Sequence, residues 1–170
     1  MARPYKPLAI GNEFIVLSMV DGVDHMKLQK LTYFAHGWWL AYNDEPIVSE
    51  LPQVWKHGPV FKSMYHALSN HGWRPIKTLQ NDNFTSPPPR VDVDDEAVHA
   101  MIKWVWARYC GYRSEYLSEI THKRGTPWEV TAREHEYRVP RNTEIPTPVV
   151  KEHFRQLAEE YGFTEQARAS

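Results

Sequence analysis

The stretch Met26-Lys27-Leu28-Gln29-Lys30-Leu31-Thr32-Tyr33-Phe34-Ala35-His36-Gly37-Trp38-Trp39-Leu40-Ala41-Tyr42-Asn43 decides how the rest of this chain must fold. Leu28, Leu31, Ala35, Trp38 and Tyr42 recur at the three-and-four spacing of one helical face. Phe34, Trp39 and Ala41 widen that face, while Tyr33 and Leu40 put apolar surface on the opposite side. A helix that is apolar around most of its circumference is buried among other elements. The polar remainder is a narrow stripe of Gln29, Thr32, His36 and Asn43, with Lys27 and Lys30 near the start. The pattern predicts a buried central helix over 26–43, with Asp24 as its N-cap.

Working outward, residues 1–8 read as an irregular arm and Ile10 to Val20 as a first helix, closed by Gly22 as a left-handed cap. β-Branched residues between 47 and 56 suggest short strands, which Pro52 confines to an edge. Gly58-Pro59 should open a third helix through Val60, Met64, Ala67 and Leu68, since proline is favoured at the first helical position. The proline-rich 74–90 segment is read as an extended crossing, with one short strand at 76–79. Asp94 or Asp95 caps a fourth helix that turns Val98, Met101, Ile102, Val105 and Tyr109 inward. Ser114 starts a fifth, and Thr126-Pro127-Trp128-Glu129 is a capping box for a short sixth. Thr147-Pro148 starts the last helix, with Val150, Phe154, Leu157 and Tyr161 inward, Gly162 as its stop and a tail over 163–170. The expected architecture is mainly α with a small β element: a single domain over 1–170, built as a compact bundle of six or seven helices around 26–43.

Composition agrees with a packed domain, at 42% hydrophobic and 24% charged residues. A formal net charge of −1 argues against holding nucleic acid by bulk electrostatics. Cys110 is the only cysteine, which excludes an internal disulfide and favours a cytoplasmic home. No apolar run approaches the ~20 residues needed to span a bilayer.

Nine histidines invite a metal or acid–base reading. None belongs to a helical His-x-x-x-His or Cys-x-x-Cys pair. His36 and His122 are expected as hydrogen-bonded structural residues, and His57 as a residue orienting the Gly58-Pro59 turn. Cys110 falls at a helix C-terminus, where the dipole disfavours a thiolate nucleophile. There is no Gly-x-Ser-x-Gly elbow and no phosphate loop. The acidic group Asp92, Asp94, Asp95 and Glu96 suits a helix N-terminus for dipole reasons alone. No catalytic residue, metal ligand or cofactor is assigned from the residues. The enzymatic alternative is a metal-dependent hydrolase or nuclease built on His36, His57 and His122.

Three separated blocks carry a resemblance. Lys27 to Ala35 with Gly37-Trp38 and Leu40 is the first, and Trp55-Lys56-His57-Gly58-Pro59-Val60 is the second. The third is Leu117-Ser118-Glu119-Ile120-Thr121-His122-Lys123 followed by Pro127-Trp128. Together they resemble the Panacea domain of the SocA-like antitoxins, a family that includes phage-associated proteins. The resemblance implies a mostly helical, non-enzymatic antitoxin that neutralises a cognate toxin, encoded by the adjacent gene, through direct protein–protein binding. An alternative role in the family is an adaptor that delivers the toxin to a ClpXP-type protease. Family members with self-repression carry an added DNA-binding region, for which this chain shows no spare length. Among the polar members of the signature, Lys27, Lys30, Tyr33, His36, His57 and His122, several are expected to surround one partner groove. Gly58, Pro59, Val60 and Trp128 join them as candidate partner-binding residues. Neither the toxin's identity nor an oligomeric state can be read from the sequence.

Overall fold

A computed structural model describes residues 3–82 and 86–163. The central helix α2 runs His25–Asn43, and Asp24 caps it by accepting from the Lys27 N–H at 3.0 Å. Every residue from Leu28 to Leu40 is buried. The wrap is made by α1 (Pro7–Leu17), α3 (Lys62–Leu68), α4 (Glu96–Tyr109), α5 (Ser114–His122), α6 (Pro127–Glu134) and α7 (Thr147–Tyr161). Of these, α1, α3, α4, α5 and α7 pack directly on α2. The fold is mainly α with a small β element, as the pattern predicts. No helix among the described residues is long and apolar enough to cross a membrane.

At Gly37, α2 and α7 come close together. A methyl group placed on Gly37 would sit 2.1 Å from the Phe154 ring, so only glycine lets the two helices meet there. Trp38 beside it is fully buried, donates its indole N–H to the Tyr109 hydroxyl at 3.0 Å, and meets Trp104 and Phe154 edge-on. Such edge-to-face aromatic pairs add to the area they bury.

Local signals succeed where capping chemistry is unambiguous. Asp95 caps α4, and all five residues expected inward on that helix are buried. Thr126 Oγ1 accepts from the Glu129 N–H, while Glu129 reaches back to the Gly125 N–H, one residue earlier than the simplest capping box.

Several expectations fail. The first helix starts at Pro7, not Ile10, and ends at Leu17. Tyr5 is not in a loose arm: it is buried, its N–H donates to Ile47 O, and its carbonyl accepts from the Ser49 N–H. Gly22 caps no helix. With φ at 75° it permits the Val23–Ile76 bridge, where a Cβ would stand 2.8 Å from the Ile76 carbonyl oxygen. Gly58-Pro59 does not begin a helix. It belongs to β2 (Gly58–Val60), which pairs antiparallel with β1 (Gln53–Trp55) in a tight hairpin, so the strand expected within 47–56 is narrower and has its partner just after it. At 76–79 only Ile76 bridges. On α7, Tyr161 is half-exposed instead of inward, because its ring lies under the Arg108 guanidinium at 5.0 Å. Beyond Phe163 the expected tail lies outside the described residues.

Candidate functional site

The three signature blocks, far apart in sequence, converge on the β1–β2 hairpin. Gln29 from α2 clamps its end: the amide Nε2 donates to Phe61 O at 3.1 Å, and Oε1 accepts from the Phe61 N–H at 2.9 Å. One residue on, Lys30 Nζ donates to Pro59 O at 3.0 Å. From α5, Ser118 Oγ donates to His57 O at 2.6 Å. From α6, the Trp128 indole N–H donates to Trp55 O at 2.8 Å. His122 stands between these, its Nδ1–H donating to Ser118 O and its ring packed on Trp128 at 5.4 Å. A two-stranded hairpin is marginal alone, so this one is held in place by side chains from three helices.

Gly58 shows why the second block needs its glycine. Its φ is 107°, and a Cβ would meet Thr121 Oγ1 at 2.9 Å and the Lys30 side-chain end at 3.1 to 3.2 Å. The bare backbone leaves room for the Lys30 amine to slide beneath the hairpin.

The result is a cavity of about 350 Å³ between the N-terminal turn of α2, the hairpin and the α3 end. Lys30 forms its floor and is 1% exposed. His25, Tyr65 and Trp55 make the ring-lined wall, with His25–Tyr65 centroids 5.4 Å apart and Trp55–Tyr65 4.7 Å. Trp73, 71% exposed after the Ser69–His71 single turn, stands at the rim with Lys56 and His57. Burial alone pulls the Lys30 amine down to about 7. Burial, followed by the nearby Lys30 charge, takes His25 down to about 4, so it is neutral at physiological pH.

Of the residues singled out by sequence, Lys30, His57 and Val60 line this cavity, while Gly58, Pro59, His122 and Trp128 build the hairpin behind it. Lys27 points elsewhere, to the Cys110 carbonyl at the end of α4. Tyr33 and His36 do not share the groove. His36 is fully buried and meets the Phe61 ring edge-on at 6.0 Å. Neither of its ring nitrogens has a hydrogen-bond partner among the described residues, contrary to the hydrogen-bonded role expected for it, and burial lowers it to about 4. Tyr33 is likewise enclosed, its ring edge-on to Phe154. His36, His57 and His122 form no cluster, and among the described residues no group of three His, Cys, Asp or Glu side chains is placed to hold a metal. Sequence reasoning missed Tyr65 and Trp73. Both are large aromatics off any apolar face, a signal that marks interaction surface as readily as core.

A family model described as "Antitoxin SocA-like, Panacea domain" matches residues 28–129, which span the floor, the hairpin and its α5 and α6 supports. The protein named "Antitoxin SocA" from Caulobacter vibrioides (strain NA1000 / CB15N) is 29% identical over 140 residues, covering 78% of this chain and 72% of that one. No solved structure matches. This chain therefore belongs to the SocA-like antitoxin family, as a Panacea-domain protein.

Proposed function

We propose that this protein neutralises a cognate toxin by binding it directly, using the hairpin face as its docking surface. The observation that carries this reading is that the family-matched residues are spent on presenting one hairpin. Gln29, Lys30, Ser118 and Trp128 all hold its backbone, an investment that a purely internal packing element does not require. Around that hairpin stand Tyr65 and Trp73, aromatics of the kind enriched at binding hot spots. A rigid element with exposed aromatics gives up little conformational entropy on docking. The antitoxin family supports a toxin as the partner.

The test is expression of the adjacent reading frame with and without this chain. Growth arrest by that product alone, relief by this chain, and co-elution of the two on gel filtration support the reading. A harmless neighbour removes its premise. Relief without a stable complex, together with a toxin half-life that falls only in protease-competent cells, favours delivery to a ClpXP-type protease instead. Trp73→Ala should weaken the complex by about 1–3 kcal/mol without altering the melting point.

A further inference from the structure

The fold treats its buried charges unequally. Glu13 is paired with the Arg90 guanidinium and the Val91 N–H. Glu129 accepts from the Tyr137 hydroxyl and the Gly125 N–H. Lys30, equally enclosed, spends one of its ammonium donors on Pro59 O, and among the described residues no carboxylate reaches it. An ammonium buried without a counter-charge is costly, and an anion placed against it offsets part of that cost.

The cavity above Lys30 is suited to supply that anion from outside. His25, Lys30, Lys56 and His57 line it, and among the described residues no Asp or Glu does. Its walls are the His25, Tyr65 and Trp55 rings, which offer stacking area to a planar body. Its volume of about 350 Å³ lies at the small end of ligand cavities. One buried amine balances one negative charge, which favours a monoanion over a phosphate dianion.

We propose that the hairpin pocket is a receptor site for a small aromatic carboxylate, which lays its ring against Tyr65 and Trp55 and its carboxylate on the Lys30 ammonium. Such a ligand would occupy the face assigned above to the toxin, giving the cell a small-molecule handle on that face, yet its binding does not depend on the toxin reading being right. Lys30 sits near its own half-protonation point at neutral pH, so an arriving carboxylate draws a proton onto it. Binding therefore weakens as pH rises above about 7, where the amine of the empty pocket gives up its proton and the carboxylate does not change. Of the other groups facing the pocket, His25 stays neutral through this range, and Lys56 and His57 are exposed to solvent screening.

Calorimetric titration of the full chain with benzoate, indole-3-carboxylate and the neutral isostere benzamide tests this near pH 6. Saturable carboxylate binding, about tenfold tighter than benzamide and about tenfold weakened by Lys30→Met, is the expected result. Lys30→Met removes an unpaired buried charge and keeps the stem, so it should fold, as near-ultraviolet circular dichroism will report. Tyr65→Ala, at a partly exposed position, provides a second variant that should weaken benzoate several-fold with the fold intact. Equal affinity for benzoate and benzamide, no carboxylate binding up to about 10 mM, or carboxylate binding unchanged in both variants overturns the proposal. Binding of a peptide with a free C-terminal phenylalanine but not of benzoate also overturns it, in favour of a peptide terminus.

Discussion

Lys30→Met should make the pH dependence of stability diverge between variant and parent, with a size set by one side chain. In the unfolded chain Lys30 titrates near 10.5, and in the fold near 7, because burial disfavours the ammonium. At about 1.36 kcal/mol per pH unit, that gap corresponds to roughly 5 kcal/mol. Below about pH 7 both states carry the proton and the folded state bears the whole penalty. Between about 7 and 10.5 the unfolded state binds the extra proton, so the parent gains stability as pH rises, and above that window the penalty is gone. Lys30→Met has no such term. Against this stands the lost hydrogen bond to Pro59 O, worth about 1–3 kcal/mol when the donor is charged. The variant should thus be as stable as the parent or more so near pH 6.5, and less favoured relative to it near pH 10. Urea denaturation of both proteins at these two pH values measures the difference, and other titrating groups cancel in the comparison. Parallel stability profiles would show that the Lys30 amine is solvated or paired in the fold, and the reasoning would fall with the burial it rests on.

Gly37→Ala should destabilise by about 1–3 kcal/mol or more through overpacking on Phe154. Trimming the ring in Gly37→Ala with Phe154→Leu should cost less than the sum of the two single changes, which a double-mutant cycle in urea will read. Trp38→Ala should cost about 3–5 kcal/mol, whereas Trp73→Ala, at an exposed rim position, should stay within about 0.5 kcal/mol of the parent in thermal unfolding. His25, His36 and His153 are each pulled down to about 4 by burial from an ordinary 6.5. The unfolded chain takes up these protons first, so stability is intact above about pH 6.5 and falls as the pH drops toward 4. His36→Leu should flatten that acid limb by about 3 kcal/mol, and an unchanged limb would contradict a buried neutral imidazole.

The 26–43 stretch was readable because periodicity and capping are local. Apolar spacing on one helix states how much of its circumference is hidden, and Asp24, Asp95 and Thr126 state where helices begin. These features settled a mainly helical fold around α2 without reference to any distant residue. The hairpin was not legible in the same way. Gly58-Pro59 satisfies the local rule for a helix start, and nothing nearby reveals that Gln29, Lys30, Ser118 and Trp128 would bind its backbone as a strand. Polar side chains carry donors and acceptors, but sequence does not say toward which partner they point. Hence the hydrogen-bonding side chains of Lys27, Lys30, Tyr33 and His36 on one helix look alike, and only packing separates them. It sends Lys27 to the end of α4, encloses Tyr33 and His36 in the core, and leaves Lys30 as the charged floor of an open pocket. Local spacing is enough to show which helix is buried; which of its polar groups lines the cavity follows from packing, because that depends on contacts between residues as far apart as Lys30, Pro59 and Trp128.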